Sequence, residues 1–278
     1  MHLDTRIQPT LSRRAFNRSE SANPGLWDGL VGAWVPALGC QGAILLNMAG
    51  VGRNADMGSA AWAMNTGKRA IYYNNTPVVS QAGVAMPTAQ ASVVCCNIVS
   101  ASTFYMPFSG SNSGGTWNAG GVAFFCQQTT VRMVLDGTTT EHSGDQSVIS
   151  SGVPYTLIGT YSGATARIYI NGVQVYQWDT SGAITNFTGA TLGRESFGRY
   201  GMVGYMGNVY VYKRVLLPPE CLALSGDSEA PFRLKRRVLV RGQQLIHGGI
   251  SVFGSPILGS GSLSTGSSVI KSAGLILP

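Results

Sequence analysis

Residues 166–178, ARIYINGVQVYQW, carry the clearest local structural signal in the chain. Two runs of alternating apolar and polar residues flank the dipeptide Asn171-Gly172. Both residues tolerate the positive φ that a type I′ turn requires, so the pattern predicts a tight β-hairpin. The first strand would place Ile168 and Ile170 on one face and Arg167 and Tyr169 on the other.

Similar segments recur along the chain. Short runs rich in β-branched and aromatic residues are separated by Gly, Asn, Ser and Pro, and no segment keeps a helical period over 12 or more residues. The predicted strands are 30–35, 43–48, 92–99, 122–127, 131–135, 154–161, 166–170, 173–178 and 207–213. One helix is predicted at 217–224, where Pro218 and Glu220 suit the first turn and Gly226 suits the end. The sequence therefore predicts an all-β fold.

Charge is concentrated at the two ends of the 278-residue chain, whose net charge is +7. Residues 1–22 carry four arginines and two acids, whereas residues 23–231 carry nine cations and ten acids. Residues 232–278 carry six cations and no acid, and they alternate short apolar runs with Gly and Ser. Such runs are too short for a core of their own and too frequent for a disordered linker. We therefore predict a basic N-terminal arm at 1–22, a domain at 23–231 and a C-terminal docking arm at 232–278.

Charged residues make up 11% of the chain, against about 25% in typical soluble domains. This low fraction indicates that much of the surface contacts other protein, as in a homo-oligomer or a lattice-bound subunit. The alternative is a soluble monomer with a surface of Ser, Thr, Asn and Gly.

The five cysteines, Cys40, Cys95, Cys96, Cys126 and Cys221, are odd in number and lack the spacing of a zinc site. We interpret them as free buried thiols of a protein made in a reducing compartment. Cys95 and Cys96 are neighbours, so in a strand they would point to opposite faces. The first 16 residues contain no apolar signal sequence, and no apolar run of 18 residues occurs. We therefore expect neither a secretory signal nor a membrane span.

Three segments resemble concanavalin A-like, laminin-G-like jelly-roll domains of phage and bacterial proteins. GLVGAWVPALG with NMAGVGRNADM (29–57) resembles the opening strand and loop, and YTLIGTYSGATARIYINGVQVYQW (155–178) resembles the central hairpin. Residues 191–227 resemble the closing segment. The resemblance implies a two-sheet antiparallel jelly-roll sandwich in which alternate residues of each strand are buried. The predicted core residues are Trp34, Ile168, Ile170, Val209 and Val211.

The sequence offers no pattern for catalysis. A glycosidase needs two carboxylates across the scissile bond, and the resemblance would place them in an E-x-D-x-x-E string, which is missing here. The acids of the central and later parts are scattered, at Asp136, Glu141, Asp145, Asp179 and Glu195. Because the same sandwich hosts enzymes, lectins and structural modules, the fold does not decide the function. We predict that the protein is not an enzyme.

We also predict no cofactor and no metal. No nucleotide-binding glycine motif follows a predicted strand, and a calcium site needs six or more oxygen ligands, with several carboxylates. We interpret Asn47, Asn54 and Asp56 as hydrogen-bonding loop residues, and the separated His2, His142 and His247 as incidental. Trp62 and Trp117 are the candidate glycan contacts, with packing on the rim of the sandwich as the alternative.

The leading functional hypothesis is a non-enzymatic structural protein of a phage virion. It would be a capsid decoration or accessory protein whose arms anchor a displayed jelly roll to neighbouring capsid or tail subunits. The predicted anchoring residues are Arg13, Arg14, Arg18, Arg233, Lys235, Arg236, Arg237 and Arg241, since arginine makes bidentate contacts with carboxylates.

Two alternatives remain open at this point. The first is a carbohydrate-binding tail or fibre module that contacts host glycans. The second is a nucleic-acid role for residues 233–241, where five cations could neutralise several phosphates. The neutral central region offers no basic face to support the nucleic-acid role, and the alternation of cations with Leu and Val is more typical of a strand with one charged face.

Overall fold

The computed structural model describes residues 14–50, 54–74, 90–111, 121–127, 129–135, 142–144, 149–180, 184, 189–194 and 200–235. Contacts divide the chain into Met1–Lys235 and Arg236–Pro278, and the second part lies outside the described residues. The strands are β1 Leu30–Trp34, β2 Cys40–Gln41, β3 Ile44–Leu45, β4 Ala55–Asp56, β5 Ala61–Asn65, β6 Lys68–Asn74, β7 Ala91–Ser100, β8 Phe104–Ser111, β9 Val122–Gln127, β10 Thr130–Leu135, β11 His142–Gly144, β12 Tyr155–Tyr161, β13 Thr165–Ile170, β14 Val173–Asp179, β15 Gly189–Leu192, β16 Val203–Met206 and β17 Val209–Tyr212. The helices are a 3₁₀ helix η1 (Pro24–Trp27), helix α1 (Pro218–Gly226) and a 3₁₀ helix η2 (Ala230–Phe232).

The strands form two main antiparallel sheets. The larger sheet has nine strands, with the path β14-β13-β12-β7-β16-β6-β5 and with β17 and β1 added beside the first half of β7. The smaller sheet has five strands in the order β11-β10-β9-β8-β15. A third, three-stranded ribbon, β2-β3-β4, lies in the N-terminal region. This all-β, two-sheet arrangement confirms the predicted sandwich.

The predicted hairpin forms between β13 and β14. Asn171 and Gly172 have φ values of 51° and 84°, as the type I′ turn requires. Asn171 also accepts a hydrogen bond from the backbone N–H of Thr156 through its side-chain oxygen at 2.8 Å, so the turn is tied to β12. Ile168 and Ile170 face one side of the sheet and Tyr169 faces the other, as predicted.

The main core lies between the two large sheets. All five predicted core residues, Trp34, Ile168, Ile170, Val209 and Val211, are buried in it. Gly159 on β12 marks a close approach of the sheets, since a Cβ atom there would come within 2.6 Å of the Phe124 ring on β9. The fold therefore depends on a residue without a side chain at this crossing.

A second core covers the opposite face of the nine-stranded sheet. Buried sheet residues such as Cys96 and Tyr210 pack there against Leu26 of η1, Leu224 of α1 and Phe232 of η2. Cys95 belongs to the first core and Cys96 to the second, which confirms that they point to opposite faces. The described thiols, those of Cys95, Cys96, Cys126 and Cys221, are free and buried, as predicted.

Several strands were not predicted from the sequence, and β8 is the most informative. Phe104–Ser111 contains Pro107, which cannot donate a ladder hydrogen bond. The register between β8 and β9 shifts between Tyr105 and Phe108, so the proline lies in a bulge where the missing donor is tolerated. In the predicted strand 43–48, only Ile44–Leu45 is extended, because the chain then turns at Asn47.

Candidate functional site

A cleft of about 170 Å³ lies where the chain passes from β7 to β8, and therefore from one sheet to the other. We call it the hydroxyl cleft; it is lined by Ser100, Ala101, Ser102, Thr103, Tyr105, Thr129 and Ser151. Six of these seven side chains carry a hydroxyl group, and none is acidic or basic. The cleft can therefore make several neutral hydrogen bonds.

Short polar contacts hold the loop that follows Ser100 in place. The backbone N–H of Ala101 donates to the Val203 carbonyl at 2.9 Å, and the Ser102 hydroxyl accepts from the Val203 N–H at 2.8 Å. On the other wall, the Gly152 N–H donates to the Ser100 carbonyl at 3.2 Å. The residues that line the cleft are thus held by hydrogen bonds to the nine-stranded sheet and to the segment before β12.

A buried polar cluster lies beneath the cleft. The hydroxyls of Tyr105 and Tyr155 are 2.7 Å apart, and the Cys126 thiol lies 3.5 Å from the Tyr155 hydroxyl. Burial raises the pKa of both tyrosines and raises the pKa of Cys126 to about 12. All three groups are therefore neutral at physiological pH, and they provide no charged nucleophile.

Three aromatic rings cluster on the outer side of the five-stranded sheet, and the first of them follows the cleft residue Thr103 in the chain. Phe104 follows cleft residue Thr103 and is 43% exposed, and its ring centroid lies 6.1 Å from that of Phe125. Tyr200, 36% exposed, packs edge-on against Phe125 with centroids 4.9 Å apart. The Tyr200 carbonyl accepts the N–H of Met106, which holds this ring on β8. We call Phe104, Phe125 and Tyr200 the aromatic ledge.

Comparison with known proteins places this geometry in a fold class. Residues 97–221, which include β8, β9 and all seven lining residues of the cleft, match the model of the concanavalin A-like lectin/glucanases superfamily. The chain is therefore similar to this superfamily over that segment, and its two-sheet sandwich is consistent with a concanavalin A-like fold. A search of curated proteins found no match.

Solved structures give the same result at low identity. Domain 4 of the GH43 extracellular arabinanase AbnA from Geobacillus stearothermophilus, solved in complex with arabinotriose, is 14% identical, with a TM-score of 0.55 over 70% of this chain and 98% of that one. The binding domain of Paraclostridial Mosquitocidal Protein 1 is 13% identical, with a TM-score of 0.55 over 73% of this chain and 53% of that one. Trypanosoma rangeli sialidase is 14% identical, with a TM-score of 0.51 over 72% of this chain. The match spans 34% of the sialidase chain, so the likeness concerns only part of that protein.

The predicted anchoring arginines that the structure describes bind carboxylates of the same sandwich domain. Arg14 pairs with Glu229 at 2.8 Å, Arg18 with Asp28 at 3.1 Å and Arg233 with Asp227 at 2.6 Å. Lys235 contributes its backbone N–H to the Glu20 carbonyl at 2.9 Å. The other predicted anchors, Arg13, Arg236, Arg237 and Arg241, lie outside the described residues, and the anchoring role of the whole set stays a prediction.

The predicted glycan contacts do not line the cleft. Trp62 lies on β5, where its indole N–H donates to the Gly42 carbonyl at 2.7 Å and its ring packs partly against the main core. Trp117 lies outside the described residues. Sequence reasoning missed Phe104 because the strand that presents it was not recognised, although the alternation Phe104, Met106 in STFYMP was a usable signal.

The loop residues considered for calcium have structural roles. Asn47 accepts hydrogen bonds from the N–H groups of Ala33 and Ala49 at 2.9 and 3.1 Å, and Asp56 accepts from Gly58 at 2.9 Å. Within the described ranges, no three His, Cys, Asp or Glu side chains cluster as metal ligands would. In the same part of the chain, no helix has the length and apolarity to cross a membrane.

Proposed function

We propose that the protein is a non-catalytic carbohydrate-binding protein whose site is the hydroxyl cleft together with the aromatic ledge. The observation that supports this proposal is the junction of six hydroxyl-bearing residues with exposed rings at one end of the sandwich. Sugars combine a polar edge with apolar C–H faces. The cleft suits the edge through neutral hydrogen bonds, and the ledge suits the face through packing on aromatic rings.

The size of the cleft limits how much ligand it can hold. A volume of about 170 Å³ is smaller than the roughly 300–1,000 Å³ of pockets that enclose a whole drug-sized ligand. One sugar unit would therefore enter the cleft, while the rest of a saccharide would lie over Phe104 or in solvent. The arabinanase domain, which has a similar fold, was solved in complex with arabinotriose. A saccharide bound to a domain of similar fold supports the proposal.

The chemistry of the cleft also supports binding without catalysis. The described lining residues include no carboxylate, whereas glycoside hydrolysis uses two carboxylates placed across the bond. Of the described acids, Asp28, Glu220, Asp227 and Glu229 are paired with arginines elsewhere. The proposal therefore assigns recognition, and no bond cleavage, to this site.

The proposal is tested with the full chain on a glycan array, followed by calorimetric titration of the strongest saccharide. Replacing an exposed aromatic ring removes packing of about 0.5–1.5 kcal/mol. We therefore expect Phe104→Ala to weaken binding about two- to tenfold. Val173→Ala is the matched control, because Val173 is 64% exposed on the hairpin turn of a different sheet. Equal affinities for the two variants, or no saccharide binding at all, would contradict the proposal.

A virion role is a separate proposal, supported by the sequence. The six cations and no acids of residues 232–278 suit an arm that docks on acidic surfaces of neighbouring subunits. Because Arg14, Arg18 and Arg233 bind acids of the same domain, the arm would depend mainly on cations after Lys235. Truncation after Lys235 should abolish co-sedimentation of the protein with phage virions, and unchanged co-sedimentation would refute this role.

A further inference from the structure

Each serine hydroxyl of the hydroxyl cleft donates a hydrogen bond to a backbone carbonyl of the protein itself. Ser100 donates to the Val203 carbonyl at 3.4 Å, Ser102 donates to the Gly201 carbonyl at 3.3 Å, and Ser151 donates to the Ser100 carbonyl at 3.3 Å. A hydroxyl group has one proton and two lone pairs. While these bonds are kept, the three side chains have no proton for a ligand, and each retains at least one lone pair that can accept a hydrogen bond.

The backbone donors beside these serines are occupied as well. The Ala101 N–H bonds the Val203 carbonyl at 2.9 Å, and the Ser102 N–H bonds the Ser100 hydroxyl at 3.1 Å. Tyr105 directs its hydroxyl to Tyr155 in the core, and only 3% of this residue is exposed. The two remaining lining hydroxyls are those of Thr103 and Thr129, and they stand outside this count. The polar groups of the cleft that are available to a ligand are therefore mostly hydrogen-bond acceptors.

The described wall of the cleft carries no positive charge that would offset this excess of hydrogen-bond acceptors. Among the described residues that line the cleft, there is no Lys or Arg. The guanidinium of Arg132 lies on β10, where its Cζ atom is 5.9 Å from the centroid of Phe125, and it is not part of the lining. An anionic group in the cleft would thus face lone pairs while losing its hydration, which is costly without replacement donors.

From this arrangement we infer that the hydroxyl cleft selects neutral sugars, through sugar hydroxyls that donate hydrogen bonds, and discriminates against acidic sugars. This inference rests on the proposed function and names its ligand class. The acceptors on Ser100, Ser102 and Ser151 match the O–H groups along one edge of a neutral ring. A carboxylate or sulfate has only acceptor oxygens and cannot make these bonds.

The test compares matched ligands on the full chain. An array carries neutral glycans next to sialylated, sulfated and uronate-containing versions of the same cores, and the best neutral ligand and its acidic counterpart are then titrated. We expect the acidic version to bind at least tenfold more weakly. Equal or tighter binding of acidic glycans overturns the inference and leaves the proposed function standing. Absence of binding to every glycan overturns the proposed function and, with it, the inference.

A gain-of-charge variant tests whether the cleft itself is responsible. Ala101 lines the cleft and is exposed, so Ala101→Lys adds a donor there without disturbing the core. We expect this variant to reduce the preference for the neutral ligand by about tenfold or more. Val173→Lys adds the same charge on the exposed hairpin turn and should leave the preference unchanged. If the two lysine variants behave alike, the assignment of selectivity to this cleft is wrong.

Discussion

Arg214 joins the first and last parts of the domain, and its removal is the sharpest test of how the second core is closed. Its two terminal nitrogens each lie 2.7 Å from a carboxylate oxygen of Glu220 on α1. The same guanidinium donates to the carbonyls of Gly25 at 2.8 Å and Asp28 at 2.6 Å, at and just after η1. We expect Arg214→Ala to release both η1 and the start of α1.

The magnitude follows from burial. The side chains of Arg214 and Glu220 are only 23% and 19% exposed, so removal of one partner leaves a largely desolvated charge. Breaking a fully buried pair costs about 3–5 kcal/mol. Because some water reaches this one, we expect Arg214→Ala to lower the free energy of unfolding by about 3 kcal/mol. The matched control is Arg18→Ala. Arg18 binds Asp28 with 64% and 46% exposure of the two side chains, and such exposed pairs contribute about 0–1 kcal/mol.

Urea denaturation of the full chain and the two variants measures this difference, with an unchanged slope showing that the unfolding reaction is the same. A double-mutant cycle with Glu220→Ala isolates the pairwise part, which should exceed about 1 kcal/mol. A cost of Arg214→Ala no larger than that of Arg18→Ala, or a cycle without coupling, would contradict this expectation.

Three further predictions concern packing, pH and thiol chemistry. Gly159→Val forces a side chain to within 2.6 Å of the facing aromatic ring, so we expect a loss of at least about 1–3 kcal/mol in thermal or urea unfolding. Gly226→Ala, with no atom within 4 Å of the new Cβ, should be close to neutral. Burial alone would raise the pKa of Glu220, but hydrogen bonds from Arg214 and a backbone N–H lower it overall. Its contribution is therefore present above the unfolded pKa of about 4.3 and is lost as pH falls through the lower folded pKa. Glu220→Gln should flatten the fall in the denaturation midpoint below about pH 4.5, and an unchanged pH profile would contradict this. Because burial raises the pKa of Cys126 to about 12, iodoacetamide at pH 8 should label it only after unfolding, and rapid native labelling seen by mass spectrometry would show that the thiol is accessible.

Local sequence signals were sufficient where a strand or turn obeys a local rule. The hairpin at Asn171-Gly172 forms as predicted, and helix α1 forms with Pro218 and Glu220 in its first turn as predicted but continues through Gly226, because turn and capping preferences act over a few residues. Strand β8 did not follow such a rule. Its proline is tolerated only because a bulge opposite β9 removes the need for a donor, and that bulge is a property of the paired strands.

The candidate site shows the same limit more strongly. Ser100, Thr129 and Ser151 lie at three separate places in the chain, and nothing in their local sequence distinguishes them from surface serines and threonines. They meet because the ends of β7 and β9 and the start of β12 lie at the same edge of the sandwich. Trp62 illustrates the reverse case, since an aromatic residue that looked available for a ligand gives its N–H to the Gly42 carbonyl.

The charged ends of the chain show the same difference between what sequence and structure reveal. The sequence alone shows that the cations of this protein are concentrated outside a nearly neutral domain and that the fold is all-β, because composition and alternation are local properties. Only the tertiary structure decided that Arg14, Arg18 and Arg233 bind acids of their own domain, and that scattered hydroxyls form one cleft beside Phe104. The reason is physical: a hydrogen bond or an ion pair depends on a distance of about 3 Å, and sequence separation does not determine that distance when strands pair across the chain.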